Sequence, residues 1–131
     1  MQSLILDSNS FLRFLLNDIP KQANEVSVLF AKAKKEELNI FIPQIVIFEI
    51  EFALEKYYKF PKEEIVDKLK AIISTPYLEI QDVSIFQEAV ISFNNKNLDF
   101  VDCFLLCFAQ SKKATLFTFD KGLQKLLTKQ K

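Results

Sequence analysis

Leu4-Ile5-Leu6-Asp7-Ser8-Asn9-Ser10-Phe11 is the stretch that decides the fold. Its apolar opening reads as a short buried strand, Leu4–Asp7. Ser8, Asn9 and Ser10 then offer the side-chain oxygens of a helix N-cap. Phe11–Leu16 continues as helix until Asn17-Asp18-Ile19-Pro20 breaks it. A strand that gives way to a helix within a few residues is how a βα unit begins, and the rest of the chain repeats the alternation.

Working outward, residues from about Lys21 to Glu37 carry helical spacing, with Ala23, Val26, Leu29 (or Phe30) and Ala33 recurring at three and four. Asn39–Ile42 is a second strand stopped by Pro43, and Gln44–Lys59 a long helix ending before Pro61. Glu63–Ile73 follows, with Ile65, Val66, Leu69 and Ile72 as its apolar stripe. Tyr77–Gln81 is a third strand, Ser84–Asn94 and Asp99–Lys112 are helices, Thr115–Phe119 is a fourth strand, and Lys121–Leu127 a closing helix. Short buried strands between helices imply a parallel sheet covered on both faces. Right-handed crossovers gather the strand C-terminal ends on one edge, where open α/β folds bind ligands. The expected architecture is a single α/β domain over residues 1–131, three layers α/β/α, with a four-stranded parallel sheet flanked by helices.

Composition narrows the function. The chain has 131 residues, enough for one domain with a real core. Half are apolar, and the aromatics are nearly all phenylalanine (14 Phe against 3 Tyr), which favours packing over disorder. A single glycine rules out a glycine-rich phosphate loop. The 17 basic and 17 acidic residues cancel, so there is no general electrostatic grip on nucleic acid. Lys32, Lys34 and Lys35, Lys112 and Lys113, and Lys121, Lys125, Lys129 and Lys131 form small clusters that read first as solvated helix faces. Cys103 and Cys107, four apart and without other thiols or histidines, read as buried core thiols rather than a zinc site, and point to the cytoplasm. No signal peptide and no apolar run long enough for a bilayer is expected.

Four acids then stand out: Asp7, Glu49, Asp102 and Asp120, each set among apolar residues. Asp7 ends the first strand and Asp120 the fourth. At about 100° per residue, Glu49 shares its helix face with Ile45, Val46, Phe52 and Ala53, while Glu51 and Glu55 point the opposite way like ordinary solvent-facing charges. Asp102 shares a face with Leu105, Leu106 and Ala109. Each has a plainer reading. Glu49 can snorkel or pair with Lys56. Asp99 can cap the helix, with Asp102 reaching back in a capping box. Asp7 and Asp120 can cap the helices that follow them.

As a set they are harder to dismiss. Carboxylates about 5 Å apart repel by roughly 3 kcal/mol per pair at an effective dielectric near 20, and the chain offers no histidine and one arginine, Arg13. Mg2+ or Mn2+ suits such oxygen ligands and would support metal-assisted phosphodiester hydrolysis. Acidic clusters also occur in phosphatases and phosphorelay receivers, which share the fold class. Asp7 lacks the second acid those enzymes carry just after the first.

Taken with their order, these segments resemble a PIN-domain ribonuclease of the VapC-like kind. The resemblance rests on Leu4–Phe11, on Ile42-Pro43-Gln44-Ile45-Val46-Ile47-Phe48-Glu49, on Leu98-Asp99-Phe100-Val101-Asp102 with Ala109 seven residues on, and on Leu116-Phe117-Thr118-Phe119-Asp120-Lys121. It spans the whole chain. It implies that Asp7, Glu49, Asp102 and Asp120 hold one or two Mg2+ or Mn2+ ions that activate the attacking water. It further implies that Asn9 and Thr118 support the first and last acids through hydrogen bonds, with Asp99 an extra supporting acid. By the same resemblance the protein is an endoribonuclease toxin, a homodimer silenced by a cognate antitoxin. Arg13 and the lysines would then guide RNA, and exposed phenylalanines would seat a partner helix. Ser8 stands where the family often has threonine, and the lysine-rich ending leaves open whether a fifth strand is present. PIN domains also serve in RNA processing, and a catalytically inactive module binding RNA or protein is the non-enzyme alternative.

Overall fold

Backbone pairing joins Gln2–Ile5 (β1) to Leu38–Ile42 (β2), and β2 to Leu78–Ile80 (β3), every pair parallel. The register sets Leu4 beside Ile40 and Ile42 beside Ile80, in the order β1-β2-β3. These are features of a computed structural model that describes residues 1–130, with side chains as far as Leu127. The helices are α1 (Ser8–Leu16), α2 (Pro20–Lys34), α3 (Gln44–Phe52), α4 (Lys62–Ile73), α5 (Val83–Asn95), α6 (Phe100–Lys112) and α7 (Lys121–Gln130). A π-turn over Ala53–Tyr57 extends α3 without a break. No helix among the described residues is long and apolar enough to cross a membrane.

The chain divides into two compact units, Met1–Val83 and Ser84 onward. In the first, β2 is the central strand and buries Leu38, Ile40 and Ile42 on one face. Helix α2 turns Ala23, Val26, Phe30 and Ala33 inward, the stripe its spacing predicted. Phe30 meets Phe11 and Tyr77 in tilted ring contacts and Phe14 edge to face. Helix α4 buries Ile65, Val66, Leu69 and Ile72 as expected. At the head of α3, Gln81 Oε1 accepts from the Gln44 backbone N–H at 2.9 Å, and Gln44 Nε2 donates to Asp82 Oδ2 at 2.8 Å. The end of β3 thereby caps the helix that carries Glu49, at a position where Pro43 has no side chain to do so.

In the second unit, Phe86, Phe93, Phe100 and Phe104 form an aromatic cluster between α5 and α6. Cys103 and Cys107 are buried free thiols on α6.

Two expectations change. The sheet has three strands among the described residues, not four: Thr115–Phe119 makes no strand pairing, and Phe117 and Phe119 are 81% and 85% exposed. Alternation of side chains marks a segment as extended, but a strand also needs a neighbour's N–H and C=O groups. The question of a fifth strand, left open by the sequence, is answered for the described residues: none follows, and Lys121–Gln130 forms α7. Nor is β1 a buried strand. It is an edge strand with Gln2, Ser3 and Ile5 exposed, and only Leu6, just past its end, is buried.

Candidate functional site

Asp7 sits in extended backbone two residues past β1, at the N-cap of α1. Its Oδ1 accepts from the Ser10 backbone N–H at 2.8 Å. That bond and a second from the Ser10 hydroxyl hold the Asp7 carboxyl below its usual range, against the upward pull of partial burial. Asp7 is thus both a helix cap and a carboxylate kept ionised. Its support comes from Ser10, not from Asn9 as the resemblance implied. Asn9 instead lines a cleft of about 520 Å³ together with Ser10, Arg13, Gln22 and Glu25.

Glu49 lies in the middle of α3, which packs against α1. It is exposed, and so are Ile45 and Phe52 on the same face, each at 62%. The face turned inward carries Val46, Ile47, Ile50 and Leu54, and with them Glu51 at 6% exposure. The sequence expectation is therefore inverted: Glu51 is the buried glutamate and Glu49 the open one. Between Ile45 and Leu54 apolar residues occur all round the helix, so counting angles cannot say which half is buried.

Asp102 is half-buried in the first turn of α6. Burial first, then the charges of Asp99 and Asp120, push its carboxyl above the usual range. Asp99 occupies the N-cap of α6, but its side chain makes no cap hydrogen bond, so the capping box weighed for Asp99 and Asp102 is not formed. Asp120 caps α7, its Oδ1 accepting from the Leu123 N–H at 2.9 Å, while its own N–H donates to Thr118 Oγ1 at 3.1 Å.

The second unit therefore brings Asp102 within reach of the charges of Asp99 and Asp120. The first unit carries Asp7 and Glu49 on neighbouring helices. Among the described residues, no group of three or more cysteine, aspartate and glutamate side chains stands ready-made to hold a metal ion.

A family model for the PIN domain matches residues 4–127, nearly the whole chain. The chain belongs to the PIN domain family. It is also similar to a VapC ribonuclease from Aquifex aeolicus (strain VF5), 24% identical over 99 residues, covering 76% of this chain and 73% of that protein.

Two residues of this PIN domain that bear on the acids were not given that part from sequence. Ser10 is one, readable only by noticing that it stands three residues after an aspartate cap. Gly122 is another: a Cβ there would lie 3.2 Å from Asp120 Oδ1, so the one glycine of the chain leaves room for that carboxylate. Arg13, expected to guide RNA, is already engaged. Its Nη2 donates to the Tyr58 hydroxyl at 2.7 Å and its Nη1 pairs with Asp18 Oδ2 at 3.1 Å.

Proposed function

We propose that this PIN domain is a metal-dependent endoribonuclease that hydrolyses RNA phosphodiester bonds, acting as the toxin of a toxin–antitoxin pair. In this reading residues 1–131 work as one nuclease domain in the cytoplasm, as a homodimer restrained by a cognate antitoxin. Asp7, Glu49, Asp102 and Asp120 are the ligands of Mg2+ or Mn2+, with Thr118 and Asp99 in support. The observation that carries it is the half-buried carboxyl of Asp102, pushed above its usual range first by burial and then by the charges of Asp99 and Asp120. A divalent cation relieves that repulsion, which is why these donors fit one. When bound, such an ion polarises the phosphodiester and acidifies a water for attack on phosphorus.

The chain's own contribution is to keep acids ionised and aimed. Ser10 holds Asp7 as an anion at the head of a nine-residue helix. The Thr118 hydroxyl and the Leu123 N–H fix the backbone and side chain of Asp120. Name and chemistry of the Aquifex relative lend support, as does the PIN family match.

The test is cleavage of structured RNA with Mg2+ or Mn2+, beside an Asp7→Asn variant that retains a good cap. Metal-dependent cleavage by the unaltered protein and loss by at least a hundredfold in the variant is expected. Equal behaviour of the two removes the ribonuclease assignment and leaves a binding module. Cleavage without growth arrest on expression leaves an RNA-processing nuclease rather than a toxin.

A further inference from the structure

We infer that Arg13 is a positioning residue for the proposed reaction: it ties the helix headed by Asp7 to the helical rod that carries Glu49, and so sets the spacing of those two carboxylates. The inference rests on the ribonuclease reading, which is what makes that spacing matter.

Arg13 lies six residues after Asp7, about 9 Å along α1. Tyr58 lies nine residues after Glu49, at the end of the π-turn that continues α3. Two rods that touch along their length can still slide and rotate. A bond between their far ends restricts both motions. Arg13 Nη2 makes that bond to the Tyr58 hydroxyl at 2.7 Å.

The other arm of the guanidinium is fixed locally. Asn17, in the left-handed region at φ 50°, donates its N–H to the Arg13 carbonyl and closes α1. The next residue, Asp18, then meets Arg13 Nη1 at 3.1 Å. The fork is therefore held before it reaches Tyr58. Its Nε is buried without a partner, and the side chain is only 19% exposed, so the group is built into the protein rather than offered to solvent.

The π-turn is what brings Tyr58 to this place. In an unbroken α-helix Tyr58 would stand about half a turn round from Glu49. A π-turn takes up one more residue per turn and carries the following side chain back by roughly a quarter turn. Tyr58 closes that turn by donating its N–H to the Ala53 carbonyl at 2.9 Å. Lysine cannot replace the arginine, because a single ammonium does not present a planar fork to two acceptors at once.

Arg13→Ala, Arg13→Lys, Tyr58→Phe and the Arg13→Ala/Tyr58→Phe double variant are compared with the unaltered protein and Asp7→Asn. Three things are measured: kcat and KM for RNA cleavage, well below every melting point; the rise in melting temperature on adding Mn2+; and urea unfolding of the metal-free proteins. Each single variant is expected to lose about 10- to 100-fold in kcat, the scale of a 1 Å misplacement, with KM within twofold. The double variant should be no slower than the slower single one, Arg13→Lys should fail to rescue, and the Mn2+-dependent rise should shrink in Tyr58→Phe. Unaltered kcat in Tyr58→Phe overturns the inference. So does a loss confined to KM and relieved at low salt, which would make Arg13 an RNA contact. A lower urea midpoint with full kcat also overturns it, leaving a tie that only stabilises. If the unaltered protein cleaves no better than Asp7→Asn, the ribonuclease reading is what fails, and the Mn2+ response of Tyr58→Phe still decides the tie.

Discussion

Asp7 and Asp102 are the same residue type under opposite stress, and pH separates them. The Asp7 carboxyl is lowered, first by the Ser10 backbone N–H, so the folded state prefers it charged. Its contribution to stability is present above the unfolded value near 3.8 and is lost as pH falls through the lower folded value. Replacing Asp7 with Ala removes the cap and should cost about 1 kcal/mol, or roughly 4 °C in melting temperature. Asp7→Asn should cost little, which makes it the variant of choice for activity. Asp102 is raised, mainly by burial, so the folded state prefers it protonated. Its charge therefore weakens the metal-free fold above the folded value, and that penalty disappears below the unfolded one. Asp102→Asn should raise the melting temperature of metal-free protein at pH 7 and leave it unchanged near pH 3. Thermal denaturation in chelator at the two pH values checks both signs. The type and position of these acids were legible in the sequence. Their surroundings were not, because partners such as Ser10 are ordinary polar residues until the backbone turns them inward.

At the scale of the element, helix α3 shows where periodicity stops being informative. Gln44-Ile45-Val46-Ile47-Phe48-Glu49-Ile50-Glu51-Phe52 is apolar nearly all round, so both halves of the helix read as candidate core. The half with Val46, Ile47 and Ile50 is buried, and Ile45, Glu49 and Phe52 are left outside. Ile50→Ala should therefore destabilise by about 2–5 kcal/mol, while Phe52→Ser stays within about 0.5 kcal/mol. Urea unfolding of the two single variants decides, and comparable losses would mean the inner face is misassigned. Helices α2 and α4 were easier to read. Their polar faces are continuous, and Pro20, Pro43, Pro61 and Pro76 stand within two residues of where α2, α3, α4 and β3 begin. Thr115–Phe119 failed as a strand for another reason: pairing is a property of two segments, and one sequence window describes only one of them.

For the molecule as a whole, net charge misleads. Seventeen positive and seventeen negative residues sum to zero, yet Asp102, already disfavoured as an anion by burial, also feels the charges of Asp99 and Asp120, since local repulsion depends on neighbours and not on the total. The order of acids along the chain was legible because it survives in sequence whatever the packing. Repulsion of this kind makes a divalent cation and an Asp102 substitution act on the same energy with opposite outcomes. In chelator, Asp102→Asn relieves the crowding and the variant should melt above the unaltered protein. In millimolar Mg2+ or Mn2+, the unaltered protein gains binding energy in the native state only, about 2.7 kcal/mol when the ion is at a hundred times its Kd. The variant has lost a ligand and should gain far less, so the two melting curves should exchange order on adding metal. Parallel curves with and without metal would mean that Asp102 is crowded without holding the ion. An exchange of order would identify the crowding as stored repulsion that the cation releases.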